Sequence, residues 1–128
     1  MSAQVGMSVT HRRYVSHHDA HYGGSLLDGA YVMGLFGDVA TEMCVRTDGD
    51  EGLLASYSAV AFKAPVKAGD VVEVTATVSR VGTRSRTLDL KAWVCCRAAP
   101  EISDSAGSVL DPPLLVVEAT ADVVVPAR

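Results

Sequence analysis

Apolar and polar positions along the chain fall into two periods. From Leu26 onward apolar residues dominate with no proline, which predicts one helix ending near Arg46, with Ser25 as its N-cap. At 1.5 Å per residue such a helix is about 30 Å long, enough to cross a small domain. Elsewhere the pattern alternates in twos. Gly6 to Val15 alternates loosely and predicts a first strand, and Leu53 to Ala64, Asp70 to Val81, Arg84 to Arg97 and Leu114 to Val125 predict four more. In the run from Asp70 to Val81, Val72, Val74, Ala76 and Val78 take one face while Glu73, Thr75, Thr77 and Ser79 take the other. Thr47 to Gly52 is an acidic, glycine-containing break, Gly82-Thr83 a short turn, and Ala98 to Pro113 a loop rich in serine, aspartate and proline. One strand, one long helix and four strands make an α+β fold, an antiparallel sheet packed on a single helix, in one domain over residues 1–128.

Turning ~100° per residue sorts the helix into faces. Leu26, Ala30, Met33, Gly37, Ala40 and Cys44 share one side. Gly29, Gly34 and Gly37 each cost up to ~1 kcal/mol relative to alanine, which points to a close approach by another backbone, most simply the sheet. Across from them a narrow stripe carries Asp28, Tyr31, Leu35, Asp38, Glu42 and Arg46. The apolar arc is wider than one core contact needs, so a partner subunit is expected on a second side, near Asp38 and Glu42.

Composition narrows the partners. The net charge of −4 leaves no whole-chain footprint for nucleic acid or an anionic membrane. Acidic residues interrupt the one long apolar run, so no membrane span is expected. No signal peptide is visible in residues 1–10, and Cys44, Cys95 and Cys96 read as small hydrophobes in a reducing compartment, so the cytoplasm is the expected location. His17, His18, Asp19 and His21 lack a recognised ligand spacing, and no metal is expected.

The order of elements, together with Phe62-Lys63-Ala64-Pro65-Val66, Gly69-Asp70, Val81-Gly82 and Ser85, resembles the hot-dog fold, in which a sheet of about five strands wraps one long central helix. More specific are Asp19-Ala20-His21-Tyr22-Gly23-Gly24, Gly29-Ala30-Tyr31, the run Leu35 to Glu42, and Asp48-Gly49-Asp50-Glu51-Gly52. This series is similar to the coenzyme A-thioester ammonia-lyases of that superfamily, the 3-aminobutyryl-CoA and β-alanyl-CoA enzymes. The resemblance implies reversible elimination of ammonia from a 3-aminoacyl-CoA to give the 2-enoyl-CoA. It also implies an acyl-CoA substrate, no cofactor beyond the CoA that the substrate carries, and a homo-oligomer, a dimer or a dimer-based assembly. Acyl-CoA thioesterases of the superfamily carry a carboxylate at the place of Asp38, so a thioesterase is the alternative, and a non-catalytic acyl-CoA-binding module a third reading.

That chemistry needs a base for the proton beside the carbonyl, donors for the enolate oxygen, and a group for the departing amine. Asp38 is the candidate base, and its neighbours Gly34, Leu35 and Val39 suggest that it is buried. Glu42 is the candidate for holding or protonating the amine, in competition with an ordinary helical ion pair to Arg46. Backbone N–H groups near Gly23, Gly24 and the first helical turn are candidate enolate donors. Asp19, His21 and Tyr22 are candidates for the mouth of the site, or else loop residues satisfied locally. Arg80, Arg84 and Arg86 flank the Gly82 hairpin and are candidate partners for CoA phosphates, at least one of them being there for solubility.

Overall fold

A computed structural model describes residues 2–127. The helix α1 spans Gly29–Asp48, and the strands are β1 Ser8–Tyr14, β2 Leu53–Phe62, β3 Val71–Val81, β4 Ser85–Ala98 and β5 Gly107–Val124. They form one antiparallel sheet in the order β1-β3-β4-β5-β2, which confirms the hot-dog architecture that the resemblance implies. Period-two alternation makes one face of the sheet apolar. Val72, Val74, Ala76 and Val78 of β3 and Leu88, Leu90, Ala92 and Val94 of β4 are all buried there. Val32, Leu35, Phe36, Val39, Ala40, Met43 and Cys44 of α1 close over them. Phe36 and Met43 lose all contact with water, each contributing about 1.5–3 kcal/mol.

The helix begins later than its sequence predicts. Asp28, not Ser25, is the N-cap, its carboxylate accepting from the Tyr31 N–H at 3.0 Å. Ser25 instead has a positive φ of 59° in a small loop where Tyr22 and Leu26 pair, and Leu26 also bridges Lys67. At the other end Gly49 adopts the left-handed conformation and its N–H reaches the Val45 carbonyl, carrying the helix past Arg46 to Asp48.

The helix is also rotated from its expected setting. Ala30 and Gly34 are exposed, and a side chain added at Gly34 or Gly37 would meet nothing within 4 Å. Neither glycine is there for the sheet. Only Gly29 is closely approached, by the ring of Phe62 rather than by backbone, at 2.9 Å from where a Cβ would lie. The bulkier Val32, Phe36, Val39 and Met43 win the core because their burial outweighs the cost of glycine on the opposite side.

β5 starts at Gly107, well before the expected Leu114. Its ladder to β4 runs from Gly107 to Val109, then resumes at Leu114, opposite Val94. The segment between holds Pro112 and Pro113, which cannot donate to a ladder and so sit in the irregularity. β2 lies at the other margin of the sheet, with one neighbour and two register shifts, and leaves Leu53 and Phe62 exposed. No helix among the described residues is long and apolar enough to cross a membrane.

Candidate active site

β1 and α1 build the site between them. Val9 of β1 and Val15 just past its end are buried in the core, so the period of two turns His11 and Arg13 to the same side, toward the helix. His11 Nε2 lies 2.8 Å from Glu42 Oε1, and Arg13 Nη2 lies 3.9 Å from Asp38 Oδ2. Two residues of strand advance about 6.8 Å. Four residues of helix advance about 6 Å. The two spacings match, so a histidine and an arginine on β1 meet an acid pair on α1, rung for rung.

The two acids differ in how firmly they are held. Glu42 also accepts from Arg46 Nε at 2.8 Å, so both of its oxygens are engaged. Arg46 first, and then His11, hold its carboxyl below the usual carboxylate range. The expected helical ion pair with Arg46 is therefore present, with a histidine added to it. Asp38 has one distant cation and a side chain 58% exposed in the single chain. Its expected burial is not met. Val39, about 100° round the helix from Asp38, and Leu35, about 60° round the other way, turn into the core and leave the carboxylate outside it. Asp38 stands instead at the lip of a hollow of about 240 Å³ lined by His11, Arg12, Arg13, Leu35 and Val74.

The loop residues cluster at the other end of the helix. Asp19 ends a short 3-10 turn, His17–Asp19. His21 Nε2 bonds the Asp28 carboxylate, and the Tyr22 ring meets the His21 ring edge-on at 4.9 Å. His21 first, then the Tyr31 N–H, hold the Asp28 carboxyl below its usual range. Ten helical residues separate Asp28 from Asp38, about 15 Å along the axis. Asp19 is exposed. Burial raises the Tyr31 phenol, the Arg13 guanidinium opposes that rise, and the Asp19 charge adds to it. Gly23 and Gly24 are exposed in their own turn, separated from α1 by four residues. They do not adjoin its first turn, as expected from the sequence, because the Tyr22–Leu26 pairing intervenes. Gly24 lines a larger basin, about 850 Å³, with His17, Lys67, Arg97 and Asp104.

The three arginines separate. Arg86 is buried, its guanidinium bonding Asp48 through Nε and Nη2 while Nη1 takes the carbonyls of Gly82 and Ser85. It ties the β3–β4 turn to the end of α1, with four of its five donors used and the group buried away from any phosphate. Arg80 lies on the opposite face of the sheet, bonding Thr87 and Ser85. Arg84 is exposed and donates to the Val125 carbonyl. Arg80 leaves the core face at the register shift that follows Val78, Arg84 lies in the turn ahead of β4, and Arg86 keeps the buried face of Leu88.

His11 and Arg13 are the residues that sequence reasoning passed over. Their signal was present: two basic residues two apart, beside a helix with two acids four apart. No group of three His, Cys, Asp or Glu side chains converges among the described residues.

Residues 24–94 match the family model of the thioesterase superfamily. The chain is 47% identical over 112 residues to a 3-aminobutyryl-CoA ammonia lyase of Acetoanaerobium sticklandii, covering 88% of this chain and 89% of that protein. Its fold superposes on the β-alanyl-CoA:ammonia lyase of Clostridium propionicum with a TM-score of 0.89 and 35% identity, covering 95% of this chain and 87% of that one. A hexameric hotdog-fold thioesterase of Campylobacter jejuni shares the fold at a TM-score of 0.74 and 18% identity, over 91% of this chain and 81% of its own.

Proposed function

We propose that this chain, which belongs to the thioesterase superfamily and within it to the family of 3-aminobutyryl-CoA and β-alanyl-CoA ammonia-lyases, eliminates ammonia reversibly from a 3-aminoacyl-CoA such as 3-aminobutyryl-CoA. The observation that carries the reading is the likeness to the Acetoanaerobium sticklandii lyase, 47% identity along nearly all of both chains.

The unequal holding of the two acids supports a division of labour. A carboxylate with two charge-assisted hydrogen bonds is a weak base, which suits Glu42 to receiving the substrate's ammonium. Asp38, loosely paired, keeps its lone pairs for the C2 proton. As Asp38 takes that proton, the C–H electron pair passes into the enolate and then forms the C2–C3 double bond. The C3–N bond breaks with its pair going to nitrogen. The proton on Asp38 passes to the departing ammonia, so that enoyl-CoA and ammonium balance the substrate.

The remaining parts follow from placement. Asp19, His21, Tyr22, Gly23 and Gly24 act in substrate binding, with the N–H groups of the glycine turn facing the thioester oxygen. His21 is anchored about 15 Å along α1 from Asp38, so the loop that meets a given Asp38 comes from another copy of the chain. A homo-oligomer built on dimers would supply that loop, and exposed Asp38 and the open margin of β2 support it. Arg80 and Arg84 meet CoA phosphates. The reaction uses no cofactor, and free cysteines support a place in the cytoplasm.

The test is incubation of the purified protein with crotonyl-CoA and ammonium. Loss of enoyl absorbance without release of thiol is expected. Thiol release would instead identify a thioesterase, and thermal protection by CoA without turnover would identify a binding module.

A further inference from the structure

We propose that His11 is a positioning residue: its imidazole fixes the Glu42 carboxylate in the attitude that receives the substrate's ammonium, and so sets affinity for the amine rather than for the thioester. This rests on the lyase reading above.

The geometry is specific. His11 Nε2 takes Glu42 Oε1 while Arg46 Nε takes Oε2, so the carboxylate is gripped from β1 and from its own helix at once. A Glu side chain on a helix surface swings through many rotamers when paired only within the helix, and an i,i+4 partner contributes only about 0.2–0.5 kcal/mol. The second bond comes from another element, which itself is pinned. His11 stands opposite Val74 in the β1–β3 ladder, with buried Val9 two residues before it. The charged groups facing this histidine are few. Glu42 and Arg46 approach from α1, and the Arg13–Asp38 rung is the next along the same cleft. β3 presents only the buried side chains of Val72 and Val74 at this level. Both partners are a little over one-third exposed, so the Glu42 carboxylate is held and yet open to a ligand.

The experiment measures ammonia addition to crotonyl-CoA by the full chain, with separate KM values for ammonium and for crotonyl-CoA. H11L removes the donor, H11Q keeps an N–H near the place of Nε2, and H11N, too short to reach Glu42, stands in if H11L does not fold. H11L is expected to raise the ammonium KM at least ~10-fold, the loss of about 1.4 kcal/mol, while the crotonyl-CoA KM moves less than about twofold. H11Q is expected to return the ammonium KM to within about threefold of wild type. A merely structural role would move both constants together or kcat alone, without rescue by glutamine, and that result overturns the inference while leaving the lyase reading in place. An active wild type whose H11L and H11N variants both keep the wild-type ammonium KM overturns it too. A wild type that adds no ammonia overturns the lyase reading, and this inference with it.

Discussion

Arg97 grips the fully buried carboxylate of Asp70 with two parallel hydrogen bonds, Nε to Oδ1 and Nη2 to Oδ2, each 2.9 Å long. Asp70 also accepts from the Lys67 N–H at 2.8 Å, so the fork closes the turn that leads into β3. The bond to Asp70 holds the Arg97 guanidinium above its usual range against the opposing effect of burial. Removing the arginine leaves a buried charge unpaired. R97A is therefore expected to cost about 3–5 kcal/mol, read as a lowered urea midpoint with unchanged slope.

Asp38 predicts the converse. Its side chain is 58% exposed and makes no close hydrogen bond among the described residues, so D38N should leave the free energy of urea unfolding within about 0.5 kcal/mol of wild type. The same variant should lower the rate of ammonia addition at least ~100-fold. Near-normal turnover by D38N would remove Asp38 as the base.

Asp28 predicts a pH effect with a definite sign. His21 and the Tyr31 N–H lower its folded pKa below the ordinary 3.8, so its charged form stabilises the fold at and above that value. The contribution is lost as pH falls through the lowered folded value. D28N keeps an N-cap acceptor but not the charge. Its urea midpoint should trail wild type at about pH 5, and the margin should close as acid is added below about pH 4.

Arg84 and Arg86 should separate in assays. R84Q is expected to raise the crotonyl-CoA KM several-fold, more at low salt than at high, with a wild-type ammonium KM. R86Q breaks the buried fork to Asp48 and should appear as lost stability instead, by about 3 kcal/mol in the same urea titration.

The sheet was readable because its strands alternate cleanly: Val72 to Val78 and Leu88 to Val94 carry their faces in their spacing, and the structure sets each on the core. The helix was readable as a helix but not in its rotation. Its apolar arc is so wide that Ala30 and Gly34 competed on paper with Val32 and Phe36, and only packing volume decides between them. Its start was misplaced because Ser25 is as good a cap as Asp28 by type, and the Leu26–Lys67 bridge that removes Ser25 is a contact between distant parts of the chain. The Asp38–Glu42 spacing was legible from the helical period alone. The partners on β1 were not, since nothing in a single sequence states which strand lies along which stripe. The same blindness joined Arg80, Arg84 and Arg86 into one patch that the register shift after Val78 and the turn at Arg84 divide.

Among the described residues β1 hydrogen-bonds to β3 on one side and to no other strand. A strand so placed unzips at a lower free energy than the interior of the sheet, and it takes His11 and Arg13 with it in the same event. Asp38 would then lose its cation and Glu42 its bond to the strand, keeping only Arg46, while the remaining ladders stayed intact. Amide exchange at residues 9–13 should accordingly quicken at denaturant concentrations where turnover already fades and the bulk of the protein is still protected, so that the enzyme dies by fraying before it melts.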